Sequence, residues 1–341
     1  METILEHPDA EVKIIDLDNG KRRIIVNPHK KWLAEKDRDY ETNYPLDLIK
    51  KVFEVKGAMG LNDTIRREED PLSTKSCVEY DLLAYAPPED FNNKRILDFG
   101  CGAGASTFIL KRLLPETEVV GIDLQKKNID LANARLDFYN YEKVSFYCSP
   151  DEKTLPENIG KFDFIVLSAV YEHLLPDERV PVLQQIWSLL NPSGIFFLNQ
   201  TPYRYFPFEG HTTHLFFLNY LPDKIAHAYA CKFSKKVGKN QNWNGLLRLG
   251  IRGGAPREIT GNLKRIAPAF KPVILKPTQL GFHDRIDVWY SGYAVSIAYK
   301  YPKVKNIQRV LKYIAKFIYY VSGIVFLPTV SLAIKKVPKD Q

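Results

Sequence analysis

Between residues 94 and 200 the hydrophobic and polar positions keep a regular beat. Short apolar runs ("RILDFG", "TEVVGIDL", "KVSFYCS", "KFDFIVLSAV", "GIFFLNQ") alternate with longer stretches of helical period ("GASTFILKRLLP", "KKNIDLANARLDFYN", "PDERVPVLQQIWSLLNPSG"). Pro115 ends the first of these helices. Five strands separated by helices predict βαβ units, a parallel sheet and right-handed crossovers.

The flanks are less regular. "EVKIID" and "RRIIV" predict short strands followed by a polar linker. "PLDLIKKVFEVKG" predicts a helix closing at Gly57, and "SCVEYDLLAYAP" a helix stopped by Pro87 and Pro88. After residue 200 comes an aromatic, proline-punctuated stretch, "TPYRYFPFEGHTTHLFFLNYLP", that reads as a loop packed over something. "VWYSGYAVSIAY" then predicts a strand, "VKNIQRVLKYIAKFIYYVSG" a helix and "PTVSLAIKKV" a closing strand. The expected organisation is an N-terminal extension (1–75), a nucleoside-binding core (76–200), a substrate-covering insert (201–285) and a strand–helix–strand unit completing the sheet (286–341).

The chemistry starts at "RILDFGCGAGAS", residues 95–106. A strand that delivers into a glycine turn opening a helix brings backbone N–H groups close to a ligand. Gly100, Gly102 and Ala105 satisfy the looser dinucleotide pattern, so the glycines alone leave a nicotinamide-dependent oxidoreductase open. Asp98 argues against it, because a pyrophosphate disfavours a carboxylate there, whereas a cationic ligand suits it. Asp98 alone reads as a turn former. With Asp123 ending the next strand, where a carboxylate can accept both hydroxyls of a ribose, the pair reads as a site for a cationic nucleoside.

On these motifs residues 94–200 resemble the class I S-adenosylmethionine-dependent methyltransferases, of a bacterial-like small-molecule or glycan type. "ILDFGCGAG", "VVGIDL", "FDFIVLSAVYEHL" and "LLNPSGIFFLNQTP" carry the resemblance. It implies an α/β, Rossmann-like, seven-stranded, mostly parallel sheet with helices on both faces and an insert after the fifth strand. It also implies S-adenosylmethionine as cofactor, with Asp98, Gly100, Cys101, Gly102 and Gly104 toward the methionine part. Asp123 and Leu124 would lie at the ribose, and Asp151 is the candidate at the adenine amino group. Candidate proton acceptors past the fourth and fifth strands are Glu172, His173 and His211, with Tyr203, Glu209 and His214 nearby. His173 and the aromatics Tyr205, Phe206 and Phe208 can equally be structural. His211 with His214 lacks a third ligand, so no metal is expected.

Composition narrows the acceptor little. The chain of 341 residues is 45% hydrophobic and 26% charged, ordinary for a folded protein. Four scattered cysteines (77, 101, 148, 231) and no apolar run near the N-terminus fit a reducing, cytoplasmic setting. The net charge of +8 is uneven: ten Lys or Arg against Glu258 alone between Lys224 and Arg265, and nine against Asp340 alone from Val288 onward. That leaves an RNA methyltransferase as one alternative and a non-catalytic scaffold as another. The reading that fits most features is methyl transfer to a small-molecule or glycan acceptor at oxygen, with nucleic acid not expected as partner. In the helix from about Lys303, Ile307, Val310, Leu311, Ile314, Ile318 and Val321 share a face, and Lys305, Arg309, Lys312 and Lys316 another. It reads either as a sheet-covering helix with a solvated basic side or as an interfacial helix on anionic lipid.

Overall fold

Strict alternation builds the amino-terminal unit of the computed structural model, which describes residues 1–30, 37–151, 154–300 and 302–339. Strands β1 (Glu2–His7), β2 (Ala10–Asp16), β3 (Arg22–Pro28) and β4 (Asp39–Thr42) form an antiparallel meander in that order. Ala10, Val12, Ile14, Ile24 and Val26 point the same way and pack on helix α1 (Leu46–Glu69) through Leu48, Ile49, Val52, Leu61 and Ile65. The helix expected to close at Gly57 breaks there, and a second helical stretch follows at once. Gly57 leaves helical geometry at φ 69°, and the chain re-enters the helix as far as Glu69. A left-handed residue kinks a helix as readily as it terminates one.

The central beat folds as its periodicity dictates. After α2 (Ser76–Leu83) come β5 (Arg95–Phe99), α3 (Ala105–Leu113), β6 (Glu118–Asp123), α4 (Lys126–Tyr139), β7 (Val144–Cys148), β8 (Phe162–Ser168), α5 (Arg179–Leu189) and β9 (Leu190–Pro202). Burial on both faces explains the continuous apolar runs: Leu97 packs into a layer with Ile186 and Trp187, and its neighbour Ile96 into one with Leu110 and Val119.

Past β9 the chain makes a short hairpin, β10 (Phe208–Glu209) with β11 (Leu215–Phe216), and then α6 (Asp223–Phe233), α7 (Trp243–Arg248) and α8 (Pro256–Ile266). Strand β12 (Phe270–Ile274) follows, then α9 (Arg285–Ser291), α10 (Tyr293–Lys300), α11 (Lys305–Ser322) and β13 (Thr329–Pro338). The main sheet has seven strands in the order β12-β13-β9-β8-β5-β6-β7, and β13 runs antiparallel to both its neighbours. The expected α/β sheet is therefore present, and "PTVSLAIKKV" is its reversed strand.

Two expectations for the carboxyl-terminal third fail. Residues 288–299 are not a strand but parts of α9 and α10, so the final unit is helical until β13. Asp284 caps α9 by accepting from the Asp287 backbone N–H at 2.9 Å, and Gly292 sits 3.1 Å, measured from where a Cβ would be, from Ser76 O. Aromatic and β-branched composition suggested a strand, and packing overrode it. The sheet's outermost strand on this side instead lies inside the supposed insert, at β12. Pro272 hid it, yet a proline is tolerated on an edge strand.

Candidate active site

The strand tip, the turn and the helix that follows form one device. Gly100, Gly102 and Gly104 hold φ of 77°, 55° and 87°. A Cβ on Gly100 would lie 2.6 Å from Val170 Cγ2, so a side chain there is excluded by strain and by space. Asp98 is 1% exposed and accepts from Ser106 Oγ and Thr107 Oγ1, each at 2.6 Å. It pins the first turn of α3 rather than facing the cleft, and it is Ser106 that lines the opening. Burial pushes this carboxyl up while both hydroxyls pull it down.

Asp123 is half-buried at the tip of β6. One oxygen accepts from Gly102 N–H at 3.0 Å, and the other from Gln125 N–H at 2.8 Å and Asn128 Nδ2 at 3.3 Å. Asn128 Oδ1 in turn accepts from Lys56 Nζ at 2.7 Å, which ties α1 to the turn. Cys101 is buried, Leu124 is half-exposed beside Asp123, and Asp151 is exposed, accepting from Thr154 N–H at 2.7 Å.

A cleft of about 1010 Å³ opens along these strand ends. Gly100, Cys101, Gly102 and Ser106 line it together with Glu172 and His211, and Lys56, Asp63, Arg66 and Arg67 of α1 line it as well. That part played by α1 was not legible in sequence. Arg66 is held by Asp37 at 2.5 Å in a buried pair.

Around Glu172, three acceptors converge. Glu172 is 1% exposed; its Oε2 accepts from Thr201 Oγ1 at 3.2 Å, and its Oε1 is buried without a partner. His173 Nε2 lies 3.9 Å and His211 Nε2 4.0 Å from that oxygen. His173 Nδ1 donates to Arg248 O at 2.7 Å, which leaves its Nε2 a lone pair. Thr212 Oγ1 donates to Leu249 O at 2.7 Å, so it accepts from His211 Nδ1 at 3.2 Å and leaves His211 Nε2 a lone pair as well. Burial raises Glu172 to about 7 and lowers His211. The three ligand atoms lie within 4.8 Å of one another, so this trio has the spacing of a cation site. The case against a metal rested on His211 and His214; the fold pairs His211 with Glu172 and His173 instead.

Other candidates take different parts. Glu209 is 3% exposed and spends its carboxylate on the backbone N–H groups of His211, Thr212 and Thr213 and on Thr213 Oγ1, so it organises a loop. His214 is exposed and packs edge-on against Phe208 at 6.0 Å. Tyr203 lines the cleft, and burial raises its hydroxyl. Arg248 pairs with Glu178, and Arg252 is buried against Leu218 O, Asn219 O and Asp223, so both guanidinium groups of the basic stretch bond within the fold. The insert is fastened by Gly253, where a Cβ would stand 1.9 Å from Pro202 O at φ 42°. Gly253→Ala is expected to cost about 3 kcal/mol or more. Differential scanning calorimetry should show the melting temperature falling by roughly 6 °C or more.

A family model described as a methyltransferase domain matches residues 97–196. An uncharacterized protein of Rickettsia prowazekii is 30% identical over 112 residues, 33% of this chain and 44% of that protein. The mitochondrial ubiquinone biosynthesis O-methyltransferase of Saccharomyces cerevisiae is 37% identical over 108 residues, 30% of this chain and 32% of that one. The matched segment thus spans less than half of either relative. A solved plantazolicin methyltransferase in complex with SAH (S-adenosylhomocysteine) aligns over 85% of this chain and 94% of its own at 15% identity, TM-score 0.44. The βαβ register, the three left-handed glycines and this matched segment agree, and residues 97–196 form a methyltransferase domain of the class I S-adenosylmethionine-dependent family.

Proposed function

We propose that this protein transfers a methyl group from S-adenosylmethionine to an oxygen of a small-molecule or glycan acceptor. The observation that carries the reading is the meeting of Glu172 Oε1, buried without a partner, with His173 Nε2 at 3.9 Å and His211 Nε2 at 4.0 Å. An unpaired buried acceptor costs about 1–3 kcal/mol, and a hydroxyl guest would relieve that cost.

The residues present fit the cofactor. Bare backbone at Gly100, Gly102 and Gly104, the carboxylate of Asp123 and the orphaned hydroxyl of Ser168 in the cleft wall suit a cationic nucleoside. Asp98 would act through Ser106 and Thr107, holding the turn in shape. When bound, the cofactor supplies a methyl on a sulfonium for in-line displacement. The chain's own work is to place the acceptor oxygen opposite that methyl and to take its proton at Glu172. The aromatics Tyr203, Phe206 and Phe208 wall the acceptor end.

The sign of the pH dependence follows. Glu172 accepts a proton only as carboxylate, so kcat/KM is expected to rise with pH through about 7, the value to which burial lifts this group. A pH–rate profile checks this, and a flat profile between pH 5 and 9 would sink Glu172 as base.

A second reading has one observation behind it, the 4.8 Å spacing of the same trio. A divalent cation held there would polarise the acceptor oxygen instead. Turnover unchanged after treatment with EDTA keeps the base reading; turnover lost and restored by added metal transfers the three residues to ligand roles.

A further inference from the structure

Of the two readings of α11, a sheet-covering helix with a solvated basic side is not what the structure shows. Lys312 Nζ pairs with Asp287 at 3.0 Å, Lys316 Nζ with Asp287 at 2.8 Å and Asp284 at 3.5 Å, and Ala315 is buried between them. The ammonium groups therefore anchor the helix to α9. The outward side carries Val310, Tyr313, Ile314, Phe317, Tyr320 and Val321, and Tyr320 is 88% exposed and Phe317 68%. Exposed apolar residues are ordinary singly, but not in such a run on one helix face.

This face continues toward the cleft. Just past the helix, Phe326 meets Tyr203 at 6.3 Å and Phe206 at 5.2 Å, both cleft-lining. Tyr203 meets the exposed Tyr205 at 6.0 Å, and the exposed Tyr220 donates its hydroxyl to Tyr205 O at 2.6 Å.

We infer that α11 and the adjoining aromatic loop dock this protein on the surface of an anionic phospholipid bilayer. Charge selects the occupant. Residues 302–322 hold five Lys or Arg and no acid; Lys312 and Lys316 are spent on α9, while Arg309 and Lys303 stand exposed beside the apolar side. A second copy would set like charge against like, whereas an anionic headgroup layer complements it. An apolar face with Tyr at its edges and cations along its flank is the pattern of a helix lying in the interface plane. Among the described residues no helix is long and apolar enough to cross a membrane. Docking would bring the cleft's mouth to the lipid–water boundary, where, on the reading given above, an amphiphilic hydroxyl acceptor would be met.

Flotation of the full chain tests this with phosphatidylcholine vesicles containing about one third phosphatidylglycerol, and with phosphatidylcholine alone. Wild type should float with the anionic vesicles, release as salt rises, and stay largely unbound on the neutral ones. The double variant Phe317→Ser/Tyr320→Ser should bind about tenfold less or weaker. Arg309→Glu, which removes no apolar group, should lower binding about tenfold on the anionic vesicles. Circular dichroism and S-adenosylhomocysteine affinity should stay at wild-type values in both variants, so failed docking is not mistaken for a failed methyltransferase reading. Folded wild type that ignores anionic vesicles, or variants that float as well as wild type, would overturn the inference. So would a wild-type dimer that the double variant turns into a monomer, because the face would then belong to a second copy.

Discussion

Glu172→Gln is expected to lower kcat by a factor of about 10² to 10⁴, the usual contribution of a positioned proton acceptor. Affinity for S-adenosylhomocysteine should be unaltered, since on the proposed reading Glu172 meets the acceptor and not the nucleoside. Stability supplies the control. Burial raises the folded-state value of Glu172 to about 7, so the folded chain holds that proton more tightly than the unfolded one. Its charged form thus weakens the fold progressively between pH 4.5 and about 7, and the penalty is complete above that window. A neutral amide escapes it, so at pH 8 the variant should melt no lower than wild type. Stopped turnover with an undiminished melting temperature is the signature of a group kept for chemistry at the expense of stability. Turnover within twofold of wild type would remove Glu172 from the reaction.

Asp123→Ala carries the second large effect. Each hydrogen bond to an ionised group contributes roughly 1.5–3 kcal/mol, so losing two from a ribose forfeits about 3 kcal/mol or more. At about 1.4 kcal/mol per decade, affinity for S-adenosylhomocysteine should fall roughly 100-fold or further. The alanine also strips Gly102 N–H and Gln125 N–H of their acceptor, which loosens the turn. Isothermal titration calorimetry on wild type and variant decides the matter. An unchanged dissociation constant would mean that the nucleoside does not lie against Asp123.

The central strands were legible because a doubly covered sheet demands unbroken apolar runs, and Leu97 and Ile96 each serve a different face of it. The turn was legible because only glycine enters the left-handed region cheaply. What Asp98 touches was not: a carboxylate before a glycine turn looks the same whether it meets a ligand or Ser106 and Thr107. The acceptor trio was half legible. Glu172 and His173 are adjacent in sequence, but the fold that brings His211 to them passes through Gly253 and Thr212, whose parts are tertiary. Glu209, attractive as an acid in a histidine-rich loop, proved to be the loop's own hydrogen-bond hub. Orientation of α11 escaped the helical pattern altogether, since a periodic sequence names two faces without saying which one the protein keeps.

Lys56 reaches across from α1 to Asn128 and so to the Asp123 carboxylate, and the residues after the Gly57 kink supply a wall of the cleft. A minimal chain trimmed to the segment shared with its relatives would keep the five parallel strands and both acidic strand tips. It would surrender one side of the chamber to solvent, so borrowing that segment as a portable catalytic cassette would yield an open shelf in place of an enclosed reaction vessel.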